Sequence, residues 1–133
     1  RRDAKGTAGY IVYRRWTFGL IAKLAQRLAA MPEGNGTMLD NTVIVYMSDA
    51  PDTHHSTVKE WPLVVLGNLK GKLKLGGRYL SYPGYGQAGH RTMGSFYTTL
   101  LNAAGVNDAF FGGLDAQLDP EMQTGPLPEI LAV

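Results

Sequence analysis

Apolar positions recur at helical spacing over residues 9–31, where Phe18, Ile21, Leu24, Ala25 and Leu28 fall on one stripe, and Pro32 ends the run. Pro-Glu-Gly-Asn-Gly over residues 32–36 is turn chemistry. Thr-Val-Ile-Val-Tyr-Met (residues 42–47) then reads as a β-branched strand, apolar on both faces. A second apolar run at residues 63–66 follows Trp61-Pro62 and closes on Gly67-Asn68. Residues 69–80 alternate lysine and leucine, which predicts an edge hairpin with its lysines on one face.

A loop rich in glycine and tyrosine spans residues 81–90, and residues 92–104 predict a second helix through Met93, Phe96, Tyr97, Leu100, Leu101 and Ala104. Gly105 is placed to stand just past its end. Residues 106–133 predict an irregular tail held by apolar contacts, with one short helical turn. Helix, turn, strand and a later helix define an α/β class. With only two or three strands, the expectation is a single partial α/β domain over residues 1–133: the C-terminal portion of a larger sheet, completed by a preceding portion or a protein partner.

Composition narrows this picture. The 133 residues are 44% hydrophobic, enough for one modest core. Cysteine is absent, which excludes disulfides and thiolate metal sites. No run of about 18 apolar residues occurs, so no membrane span is expected. Net charge is +2, and the lysines at 70, 72 and 74 are interleaved with leucine rather than with stacking aromatics, so no nucleic-acid partner is expected.

The chemistry gathers after the first strand, in Ser-Asp-Ala-Pro-Asp-Thr-His-His-Ser at residues 48–56. Polar loops at strand ends are where open α/β sheets place their sites. Asp49, His54 and His55 there, with His90 in the later loop, supply oxygen and nitrogen donors for a zinc, manganese or calcium ion. Asp52 and Arg91 are the candidate substrate-binding residues. Successive side chains diverge, so one of His54 and His55 at most ligates directly. The competing reading has the aspartates capping turns and the histidines serving structure.

Asp40-Asn41-Thr42, the strand to Tyr46, Ser48-Asp49, His54-His55-Ser56, Glu60 to Gly67, Gly89-His90-Arg91-Thr92, Tyr97 to Val106 and Gly125 to Glu129 together resemble the C-terminal third of the HXXSHH family of secreted bacterial proteins. That family is similar in fold to the alkaline phosphatase and sulfatase superfamily. The resemblance implies an alkaline phosphatase-like sheet, a secreted or periplasmic location, and metal-dependent hydrolysis of phosphate or sulfate esters. Two positions depart from the pattern. Ala50 follows Asp49 where the superfamily has histidine, and His54-His55 precede the serine instead of following it. Those departures fit an alternative, a catalytically inactive binding or assembly subunit.

Overall fold

The computed structural model describes residues 4–48 and 60–132, and the chain divides into two compact units, Arg1–Asn41 and Thr42–Val133. In the first, α1 (Ala4–Ala29) begins five residues earlier than its apolar stripe predicts, since no proline or turn cluster stops the preceding Lys-Gly-Thr-Ala. Its last turn closes with the Ala30 N–H on the Gln26 carbonyl at 3.0 Å, and Pro32 blocks continuation. The chain then reverses: β1 (Pro32–Glu33) pairs antiparallel with β2 (Gly36–Thr37), across a turn that Gly34 enters at φ 59°.

Asp40 locks that reversal by accepting the Thr37 N–H and the Thr37 hydroxyl, each at 2.8 Å. The backbone N–H and then the hydroxyl hold the Asp40 carboxyl below the usual carboxylate range. The unit's long helix leaves Val12, Tyr13 and Trp16 exposed.

The second unit is built on β3 (Ile44–Met47) and β4 (Leu63–Leu66), paired antiparallel with Val45 opposite Val65 and Met47 opposite Leu63. Period-two alternation puts Val43, Val45, Leu63 and Val65 on one face, and these pack on the core cluster of Leu73, Phe96, Ala103, Leu127, Ile130 and Leu131. The helix α2 (Met93–Ala103) crosses that core with Phe96 at 3% exposure. The Thr92 side chain caps it by accepting the Ser95 N–H. At the other end Gly105, at φ 91°, donates to the Asn102 carbonyl while Val106 donates to that of Leu101, the paired bonds of a Schellman motif. The expected helix and glycine stop are both present, and Thr92, expected as the first helical residue, is its cap.

Residues 69–80 do not pair with themselves. Leu69, Lys70 and Gly71 take consecutive positive φ values of 49°, 57° and 75°, and Gly76 and Gly77 do so again, which curls the backbone out of strand geometry. Only Leu73 is extended long enough to bridge, and its partner is Leu131 of the tail. The Lys74 N–H donates to the Ile130 carbonyl at 2.6 Å and the Ala132 N–H to that of Lys72 at 2.9 Å. Tail residues therefore take the place of the hairpin's missing strand.

The tail contains the predicted helical turn, α3 (Pro120–Gln123). Buried Gln123 donates to the carbonyls of Asp115 and Leu118 and accepts the Asp115 N–H, closing the preceding loop. Leu127 reaches the core through its N–H, which donates to the Thr99 hydroxyl at 2.7 Å. The protein is thus α/β, with helices joined to two small antiparallel sheets. No helix among the described residues is long and apolar enough to cross a membrane.

Candidate functional site

The β3–β4 connection leaves the sheet at Ser48 and returns at Trp61, and the Trp61 indole N–H donates to the Ser48 carbonyl at 2.8 Å. That bond ties the two ends of the loop together. Asp49, Asp52, His54 and His55 all belong to this connection and lie outside the described residues.

His90 is described, and its setting is specific. It is 8% exposed, and its Nδ1 lies 3.0 Å from the Pro83 carbonyl oxygen. A carbonyl can only accept, so Nδ1 carries the proton in this contact, and in the neutral ring that tautomer leaves the lone pair on Nε2. Among the described residues Nε2 has no hydrogen-bond partner. The Tyr85 ring meets the imidazole edge-on at 5.8 Å between centroids. Gly89 makes the turn possible: it sits at φ 83°, and a side chain there would also meet the Pro83 ring at 3.5 Å.

Arg91 faces the tail. Its NH1 donates to the Glu121 carbonyl at 2.7 Å, and its NH2 meets the carbonyls of Thr124, Gly125 and Pro126 at 3.0 Å each. Its Nε is buried and unpartnered among the described residues. The residue assigned to substrate from the sequence is, in the structure, a clamp on four tail carbonyls.

Two further bonds hold the same loop to the tail. The Tyr82 hydroxyl donates to Glu129 at 2.9 Å, and the Tyr85 hydroxyl to Asp115 at 2.5 Å. Burial, then the bond to Glu129 and its charge, push the Tyr82 phenol well up, against the smaller opposing pull of Arg91 and Arg78. The Tyr85 bond lowers the Asp115 carboxyl, helped by the Gln117 N–H. The carboxylate partners of these tyrosines lie 47 and 30 residues away, beyond any local signal.

Tyr97, one turn into α2, sets its hydroxyl 3.5 Å from the sulfur of Met47, the last residue of β3. The first turns of α2 therefore touch the exit of β3. Among the described residues no three histidine, aspartate or glutamate side chains gather closely enough to hold a metal. Comparison with known protein families, with curated proteins and with solved structures finds no match to this chain.

Proposed function

We propose that this α/β protein is an alkaline phosphatase-like, metal-dependent hydrolase of phosphate or sulfate esters, acting outside the cytoplasm. In this reading Asp49, one of His54 and His55, and His90 hold the ion, and Asp52 contacts the substrate. The observation that supports it most is the His90–Pro83 contact. A histidine whose Nδ1–H is committed to a backbone carbonyl has its ring fixed and, in the neutral tautomer, presents Nε2 as the donor atom, which is how ligating imidazoles are commonly oriented. A nitrogen donor fits zinc or manganese better than calcium, which takes oxygen. The ion would supply Lewis-acid polarisation of the ester. The chain's own part is to aim His90 and hold its tautomer.

The decisive comparison is His90→Asn against His90→Gln, with metal content read by elemental mass spectrometry. The Asn amide replaces Nδ1 and can keep the bond to Pro83 while removing Nε2; Gln does the reverse. Stoichiometric zinc or manganese in the wild-type protein should fall at least ten-fold in His90→Asn with the fold intact, and likewise in Asp49→Ala. Absence of metal from the wild type, or full retention in both Asn and Ala variants, would overturn the proposal.

A second reading, an inactive binding or assembly subunit, draws on the sheet itself. The face turned away from the core cluster carries Ile44, Tyr46, Val64 and Leu66, so both faces are apolar, the pattern of a strand pair meant to be covered twice. A protein partner or a preceding portion of the parent would complete that sheet. A metal-free protein that captures a partner through this face would establish the second reading.

A further inference from the structure

Outside the candidate site, an open cleft of about 500 Å³ lies in the second unit, where β4 runs out into residues 67–77. That volume is within the range of small-molecule sites. Val65, Leu66, Leu73 and Leu75 contribute its apolar lining, with Asn68 and Lys74 as its polar groups. Gly76 and Gly77 complete the wall at φ 56° and 62°, a conformation that keeps ordinary side chains out of this stretch.

The stretch of chain that forms it carries charge of one sign. Between Trp61 and Asn107 the chain carries no aspartate or glutamate, while Lys70, Lys72, Lys74 and Arg78 fall within nine residues. Lys70, Lys72 and Lys74 are exposed, and none has an ion-pair partner among the described residues. Of the three, Lys74 lines the cleft, beside the bridge that fixes the backbone at Leu73. Arg78 is spent on the carbonyls of Lys74, Leu75 and Glu129, which buttresses the wall. Glu129, the carboxylate brought close by the tail, is taken by Tyr82.

We infer that this cleft binds an amphiphilic anion, with its phosphate or carboxylate head at Lys74 and its apolar body against Val65, Leu66 and Leu75. No aromatic ring lines the cleft to stack on a base, which disfavours a nucleotide or single-stranded nucleic acid. The same chemistry could come from a soluble amphiphile or from a lipid in a membrane surface.

The test is calorimetric titration of the whole protein with octyl phosphate below its micellar concentration, against methyl phosphate. Saturable one-to-one binding, at least ten-fold tighter for octyl than for methyl phosphate, upholds the inference when Lys72→Gln/Lys74→Gln weakens it at least ten-fold and the control Lys23→Gln does not. Equal affinity for the two phosphates, no binding of either, or indifference to the lysine changes would overturn it. So would tight oligonucleotide binding by a protein that ignores octyl phosphate. Phosphatidylglycerol vesicles separate the sources: retention lost in the lysine variant assigns a lipid headgroup, and no retention assigns a soluble amphiphile, the inference standing in both cases.

Discussion

Replacing Arg91 with methionine keeps much of the side chain's aliphatic stem and removes its charge and donors. Four carbonyls then lose a charged partner, and three of them, on Thr124, Gly125 and Pro126, belong to part-buried contacts. One nitrogen with two N–H groups serves those three carbonyls, so two charge-assisted bonds at about 1.5 kcal/mol each put the cost to the second unit at about 3 kcal/mol. Relief of the unpartnered Nε offsets a fraction of this. The sensitive assay is amide hydrogen exchange at Leu127 and Ile130, whose N–H groups are bonded to Thr99 and to the Leu127 carbonyl. Their exchange should accelerate on the order of a hundred-fold, the kinetic equivalent of that loss. Arg91→Lys should recover less than half, because a compact ammonium cannot span acceptors on both sides of the guanidinium fork. An Arg91→Met protein whose tail amides exchange within two-fold of wild type would refute the clamp.

Other consequences can be measured separately. The folded protein holds the Tyr82 proton beyond the ordinary value near pH 10, so this stabilisation is complete below about pH 10 and is lost as pH rises toward the folded value; Tyr82→Phe should remove that alkaline loss, followed by phenolate absorbance and denaturation at high pH. The Ser95 hydroxyl is fully buried with no partner among the described residues, so Ser95→Ala should be neutral or stabilising by about 1 kcal/mol in urea denaturation. Its neighbour responds oppositely: a Cβ at Gly94 would sit 3.0 Å from the Phe111 carbonyl oxygen, so Gly94→Ala should destabilise the unit and perturb the Phe111 amide region in NMR spectra. Gly36→Ala should evict the Asp40 carboxylate, which would lie 2.8 Å from the new methyl, and the Thr37 amide resonance should lose its acid titration.

The elements legible in the sequence were those whose cause is local. The apolar runs at residues 44–47 and 63–66 and the stripe from Met93 to Ala103 identify themselves, and Gly105 marks a stop because only glycine adopts its backbone angle cheaply. Residues 69–80 misled because strand alternation was weighed above their glycines, and the extended stretch at Leu73 found its partner 58 residues later. At the candidate site, His90 was legible as a donor by residue type alone. Its tautomer was not, since that depends on the Pro83 carbonyl folding back over it. Arg91 was a candidate substrate contact; its partners in the structure are neutral backbone oxygens 30 to 35 residues away, which no local pattern announces.

The tail's place in the core also governs when the protein can fold. Leu127, Ile130 and Leu131 make up half of the central cluster, and the backbone on either side of Leu73 is bonded to Ile130 and Ala132. On the ribosome, β3, β4 and α2 are therefore made without half of their core and must wait until the chain beyond Leu131 has emerged. Until then Leu73, Phe96 and Ala103 are an uncovered apolar surface of the kind that chaperones hold and that aggregation exploits. A stop codon a few residues upstream of Leu127 would leave the nascent chain permanently in that waiting state.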